Sequence, residues 1–212
     1  MALRDHSLDD RIIAAARKEF LEKGYAGASL RKIAEQAGVT AGAIQTRYRS
    51  KDELFASLLK PLLDDIEAAF QNVKEDYYAD AADDFLAQLK ASMRRESAAI
   101  LRLLFAHYEE AALLFYRSAG SSLERCFEGI VKNKIAESIA FFHSKGFAGV
   151  DEKLLGLLIS AQFDGYRRIV IECPERAAAE RCMNALMTYH FGGWTALFEA
   201  ADQAKKEMRD EI

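Results

Sequence analysis

The chain has 212 residues, of which half are apolar and 29% charged, with a formal net charge of −4; this is the balance of a folded protein and excludes a disordered one. Only Pro61 and Pro174 interrupt it, and no sustained alternation of β-branched residues marks strands, so the class is all-α. No apolar run reaches the ~18 residues of a membrane span and the N-terminus MALRDHSLDDR is too polar for a secretory signal, which leads to an expected cytoplasmic location.

Ser7 and Asp10 have capping-box spacing, and Leu8, Ile12, Ile13, Ala16 and Phe20 then recur at helical intervals until Gly24 offers a stop. Ser29 is placed to cap a second, short helix with Leu30, Ile33, Ala34 and Ala37 inward, and Gly38 sits where a left-handed residue turns the chain. Thr40 caps a third helix that buries Ile44 and Tyr48. Two short helices joined by a glycine-containing turn are a helix-turn-helix. Ser50 with Glu53 opens a fourth helix carrying Leu54, Phe55, Leu58, Leu59 and Leu62 on one side, continuing through Ile66, Phe70 and Val73 with a kink expected at Pro61.

Further helices are predicted over 85–93, 98–116 and 122–143, with breaks near 77–80, 118–121 and 145–151. The span 154–171 is apolar nearly all round, which in a water-soluble protein means a helix enclosed by others. Pro174 ends it, and a last helix runs over 175–205. The predicted organisation is a head at 1–54 and a helical body at 55–212. Residues 1–54 carry 10 Lys and Arg against 8 Asp and Glu and the rest 19 against 25, so the head is the better candidate for an anionic partner. Cys126, Cys173 and Cys182 are odd in number and lack metal-ligand spacing; they are read as reduced, packed thiols, with no disulfide framework and no metal or cofactor site.

The third helix leaves small and polar residues on the face away from Ile44 and Tyr48, a shape that fits a DNA major groove. Ala41, Gly42 and Ala43 allow close backbone approach, Gln45 has the groups to pair with adenine, and Thr46 reaches a base or a phosphate. Arg47 and Lys51 are placed to clamp phosphate, and the helix starts at Ser29, Thr40 and Ser50–Lys51 are further phosphate seats. The same features would also fit an ordinary helical corner with solvated side chains.

The stretch Arg11–Phe55, above all GYAGASLRKIAEQAGVTAGAIQTRYRSKDELF at 24–55, resembles the N-terminal domain of the TetR/AcrR family of bacterial regulators. The resemblance rests on Gly24–Tyr25, Ile33–Ala34, Ala37–Gly38–Val39, Gly42, Tyr48, Ser50–Lys51 and Leu54–Phe55. It implies that Thr40, Ala41, Ala43, Gln45, Thr46, Arg47 and Lys51 lie on or beside a recognition helix and touch bases or phosphates. Two positions depart from the family's usual pattern, Gln45 where tyrosine is common and Arg47 where histidine is frequent, which leaves the operator sequence open.

The resemblance further implies a homodimer in which the last two helices form a four-helix bundle with a second copy; Ala185, Gly192, Gly193, Trp194 and Leu197 suit such an interface, or an intramolecular core. Two heads about one helical turn of DNA apart would read a palindrome. A small-molecule effector of unknown identity is expected in the body, with Phe105, His107, Tyr108, Phe115, Gln162 and Tyr166 as candidate contacts, since pockets pair apolar walls with a few polar groups. Glu109, Glu110 and Tyr116 lie in the same stretch, yet no nucleophile, metal pair or phosphate loop accompanies them, so an enzyme is not expected. The expected function is a DNA-binding transcriptional regulator, a repressor released when its effector shifts the fourth helix about Pro61. A helical protein-interaction module and an all-α enzyme are the alternatives.

Overall fold

A computed structural model describes residues 6–79, 84–147 and 149–210. Among these the chain forms α1 (His6–Gly27), α2 (Leu30–Ala37), α3 (Ala41–Arg47), α4 (Lys51–Ala79), α5 (Phe85–Ala106), α6 (Tyr108–Tyr116), α7 (Cys126–Ser144), α8 (Glu152–Glu172) and α9 (Arg176–Asp210), with no strand. The all-α class read from the sequence is the class observed. None of the described helices is long and apolar enough to cross a membrane.

The helices divide between two compact units, Met1–Asp65 with His107–Phe127, and Ile66–Ala106 with Glu128–Ile212. The first extends beyond the expected head of residues 1–54, for a reason visible in its packing. Ile12, Ala16, Phe20, Ile33, Ile44, Leu54, Phe55 and Leu59 are fully enclosed, and burying each large apolar side chain contributes about 1.5–3 kcal/mol. Phe20 meets Phe55 edge-on at 4.9 Å, and Tyr25 meets Phe55 at 5.2 Å. Those helices alone do not complete the unit. α6 adds buried Ala111, Leu113 and Leu114; Arg17 pairs with Glu110 at 2.8 Å and with Glu109 at 3.3 Å; and the Tyr25 amide donates to the Arg117 carbonyl at 2.7 Å. The Ser122 amide donates to Asp52 at 2.8 Å, and the Ser122 hydroxyl and amide together hold the Asp52 carboxyl below the usual aspartate range.

Helix ends follow local chemistry. Gly24, at φ 68° and ψ 169°, bends α1 where a stop is expected, and one more turn follows to Gly27. α1 begins at His6, so Ser7 lies within the first turn. Pro61 lies exposed within α4, which continues to Ala79; residues 77–79 of the expected break at 77–80 are therefore helical, and residue 80 lies outside the described residues.

In the second unit α5, α8 and α9 pack together. Phe85, Phe142, Phe147 and Phe198 form one aromatic cluster, with centroids 4.5 Å apart for Phe147–Phe198 and 4.9 Å for Phe142–Phe198. Glu96 and Lys134, both largely enclosed, pair at 2.5 Å. The spans predicted separately over 85–93 and 98–116 run on without interruption through 94–97, where α5 has neither glycine nor proline and Glu96 and Ser97 are buried. The helix expected over 98–116 is instead divided at His107, whose φ −121° and ψ 44° are not helical, and α7 begins at Cys126 after a turn rather than at Ser122. α8 is not enclosed on every side, because Leu157 is 70% and Leu154 40% exposed. The cysteines are free but not packed away: Cys182 is exposed, Cys126 and Cys173 half-buried, and burial pushes the Cys126 thiol up.

Candidate nucleic-acid interface

The α2–α3 corner is built from a few local devices. Ile33, Ala34 and Ala37 bury one face of α2. Gly38 then takes φ 65° and ψ 37°, its amide donating to the Ala34 and Glu35 carbonyls, while the Val39 amide returns to the Ala34 carbonyl at 3.0 Å. A left-handed residue closes these bonds at little cost only when it has no Cβ. Thr40 caps α3, its hydroxyl accepting from the Ala43 amide at 3.1 Å. Ile44 is fully buried beneath α3, and Tyr48, half-buried, is the extended residue that closes the helix, not part of it.

What remains outward on α3 is Ala41, Gly42, Gln45 and Thr46, all exposed, with Ala43 half-buried. The Thr46 hydroxyl donates to the Gly42 carbonyl at 2.9 Å, a bond within the helix that must rotate away before the hydroxyl reaches anything else. Ser29 sits in extended backbone before α2 without capping it through its side chain; its amide instead donates to buried Glu19 at 3.4 Å, and Glu19 also accepts from Gln36 at 3.2 Å. A carboxylate therefore already stands at this expected phosphate seat. Ser50 does cap α4, accepting from the Glu53 amide at 3.0 Å, while Glu53 reaches back to the Arg49 amide at 2.7 Å.

The two expected phosphate clamps are engaged inside the unit. Arg47 pairs with Asp9 of α1 and donates to the Ala43 carbonyl at 3.4 Å. The Lys51 ammonium donates to the carbonyls of Tyr25 at 2.6 Å, Ala28 at 3.1 Å and Ala26 at 3.5 Å, and lies 4.4 Å over the Tyr25 ring. An ammonium has three protons, and this one uses two of them in short bonds that tie α4 to the end of α1, with the third directed at the more distant Ala26 carbonyl. Two cations passed over in the sequence are better exposed. Arg31, on the first turn of α2, and Arg49, just before α4, are both exposed, and among the described residues neither side chain has an ion-pair partner. Their signal was position alone: each lies within a turn of a helix start.

The six candidate effector contacts divide between the two units. His107, Tyr108 and Phe115 belong to the first unit and Phe105, Gln162 and Tyr166 to the second. His107 bonds Asp65 at 2.7 Å, and Phe115 stacks edge-on against Phe127 at 5.0 Å. Gln162 and Tyr166 are buried and satisfy each other: the Gln162 amide donates to the Tyr166 hydroxyl at 2.5 Å, that hydroxyl donates to the Met187 sulfur at 3.0 Å, and the Trp194 indole donates to the Gln162 carbonyl oxygen at 3.1 Å. Trp194, a candidate for the dimer interface, is thus core, only 4% exposed. Leu197 is half-buried, whereas Ala185, Gly192 and Gly193 are exposed.

Fold and corner together define a helix-turn-helix protein with an all-helical body. The chain matches the family model of the bacterial regulatory proteins of the tetR family over residues 12–58. It is 32% identical over 85 residues to the HTH-type transcriptional regulator Rv1816 of Mycobacterium tuberculosis, a match covering 40% of this chain and 36% of that one, so the chain spans about a third of the length of that curated relative. Among solved structures it is similar to NalD, the secondary repressor of the MexAB-OprM multidrug efflux pump in Pseudomonas aeruginosa, with a TM-score of 0.62, 20% identity, and 89% and 98% of the two chains covered. A transcriptional regulator from Rhodococcus sp. Rha1 is 27% identical, with a TM-score of 0.53 and coverage of 87% and 96%.

Proposed function

We propose that this protein is a DNA-binding transcriptional regulator that acts as a homodimer, sets α3 into the major groove and is released by a small-molecule effector. One observation carries the proposal: α3 fully buries Ile44 while Ala41, Gly42, Gln45 and Thr46 stand clear of packing, the arrangement a recognition helix needs to bring small residues and one amide to base edges. The match of residues 12–58 to the tetR family model supports it. Arg31 and Arg49 join the expected residues as phosphate contacts, with Arg47 and Lys51 holding the head's shape. A second copy is supported by the exposed apolar side chains Leu154, Leu157 and Tyr189 on α8 and α9, beside exposed Ala185, Gly192 and Gly193. The effector acts on α4, which contributes residues to both units, with Pro61 as the pivot; it can do so only if it binds the two arrangements with different affinity.

The test is retention of the gene's own upstream DNA in a gel-shift titration of salt. Retention should fall by several powers of ten between about 50 and 200 mM salt if half a dozen phosphates or more are contacted. A Gly42→Asp, Gln45→Glu double variant places two carboxylates on the exposed face of α3 without touching its core, and it should abolish retention while the circular dichroism spectrum stays unchanged. Undiminished retention by that folded variant would overturn the assignment.

A further inference from the structure

Between α5 and α9 the second unit encloses a groove of about 660 Å³. Its floor is apolar: Met93, Leu101, Met183 and Met187 are each at most 6% exposed. Its rim is cationic, with Lys90, Arg94 and Arg102 from α5 and Arg176 from α9 against one carboxylate, Glu180, in a chain whose net charge is −4. Two of the four cations are occupied. Arg176 bonds Glu180 at 3.0 Å and Lys90 lies 5.1 Å over the Phe191 ring. Arg94 and Arg102 are exposed and, among the described residues, have no carboxylate partner; eight positions apart on α5, they stand about 12 Å apart along its axis.

Charges along a helix are most often only a solvated face, but here they border an apolar trough. The hydroxyls nearby do not compete for a ligand, since Ser97 donates to the Arg94 carbonyl at 3.1 Å and Thr188 to the Asn184 carbonyl at 2.9 Å. Beside the neutral Asn184 amide, the charged donors left at the rim are two guanidiniums, which suit carboxylate, sulfate and phosphate groups. The floor is largely methionine, whose flexible thioether side chains mould to unbranched chains better than branched side chains do. On α9 the groove residues Arg176, Glu180, Met183, Met187 and Phe191 lie on nearly the opposite side from exposed Ala185, Tyr189 and Gly192, so a second copy seated on those exposed residues would leave the groove open.

We propose that the α5–α9 groove binds an amphipathic organic anion, its unbranched aliphatic chain lying on Met93, Leu101, Met183 and Met187 and its anionic head held by Arg94 and Arg102. The assignment names the effector's chemical class and so rests on the effector part of the proposed function. The groove also has a route inward: Met187, on its floor, accepts the Tyr166 hydroxyl, which is linked through Gln162 to Trp194, the chain's single tryptophan. A chain that displaces the Met187 side chain disturbs the hydrogen-bonded setting of that indole.

The full-length protein is titrated without DNA against dodecanoate, dodecan-1-ol, dodecyltrimethylammonium and inorganic phosphate, all below any micelle concentration, by Trp194 fluorescence and calorimetry. Dodecanoate should saturate one site per chain and change Trp194 emission; the alcohol should bind at least tenfold more weakly; the cation and phosphate should not bind. An Arg94→Gln, Arg102→Gln double variant should weaken dodecanoate on the order of tenfold or more, the worth of a charge-assisted hydrogen bond, and leave the alcohol unchanged. Ala98→Phe, at an exposed position on the groove wall, should weaken both. Equal affinity of the parent for dodecanoate and dodecanol, phosphate binding as tightly as dodecanoate, or an unaffected double variant would each overturn the proposal. The substituted residues lie outside the head, so dodecanoate binding and operator retention fail separately: loss of the first alone refutes the groove, and loss of the second alone refutes the DNA assignment.

Discussion

Lys51→Met tests whether this lysine holds the head together or holds DNA. The ammonium donates to three carbonyls at 2.6, 3.1 and 3.5 Å and faces the Tyr25 ring at 4.4 Å. A hydrogen bond from a charged donor contributes about 1.5–3 kcal/mol net, and an exposed cation–π contact about 0.5–1 kcal/mol. The longest of the three bonds is marginal, the side chain is only half-buried, and such terms do not add, so the combined loss is placed at about 2–3 kcal/mol. Methionine keeps the length and apolar contact of the stem, which confines the change to the charge and its bonds. The assay is urea unfolding followed by circular dichroism, with amide exchange of the 24–38 segment as a local reading; exchange there should accelerate roughly 30- to 150-fold if it proceeds by unfolding of the head. A loss under about 0.5 kcal/mol, the scale of an ordinary surface change, together with a salt slope of DNA retention reduced by about one, would show that Lys51 serves phosphate and that the carbonyl contacts are incidental.

Three other outcomes are expected. Gln162→Leu preserves volume but strips the Trp194 indole of its acceptor and the Tyr166 hydroxyl of a donor; it should cost about 2 kcal/mol or more in thermal unfolding and change near-ultraviolet dichroism, and a cost below about 1 kcal/mol would argue against a structural role. Asp52 titrates below its ordinary value because Ser122 bonds its charged form, so its contribution to stability is complete above an ordinary aspartate pKa of about 3.9 and is lost as pH falls through the lower folded value. Asp52→Asn should therefore show a smaller drop in urea midpoint between neutral and strongly acidic pH than the parent, and equal drops would remove the linkage. The sulfurs of Cys173 and Cys182 lie 3.8 Å apart and must close to about 2.05 Å to bond; diamide, taking two electrons and two protons from the pair, should lower the Ellman thiol count from the three free cysteines to about one without cross-linking chains, and a count still at three would show the helix ends hold them apart.

The corner from Ile33 to Ile44 was legible because each of its signals is local: apolar residues at helical spacing, a glycine where the backbone turns left-handed, a hydroxyl three residues before the amide it caps. The destinations of the long cations were not. Arg47 finds Asp9 from 38 positions away and Lys51 finds carbonyls 23 to 26 positions upstream, and spacing says nothing about whether a cation ends on phosphate, water or a carbonyl. Gln162 and Tyr166 looked like polar guests in an apolar helix, but four residues apart on one face they bond each other. The α5–α9 groove escaped notice because its two stripes lie some eighty residues apart, and each by itself resembles a wetted helix face. α8 misled in the other direction: an apolar circumference is enclosed only if something covers every side, and Leu157 stands 70% exposed.

Because α6 and the turn that follows it complete the first unit, the latter through the bond from the Tyr25 amide to the Arg117 carbonyl and the bond from the Ser122 amide to Asp52, the portion that carries the α2–α3 corner cannot be transplanted as one contiguous cassette. A chimera that joined residues 1–54 to a foreign body would leave Arg17 and the apolar flank under Leu113 without a cover, and donor and recipient would have to match at the sixth helix as well as at the splice. Exchange of heads within such a lineage is thereby restricted to pairs whose bodies already supply a compatible lid.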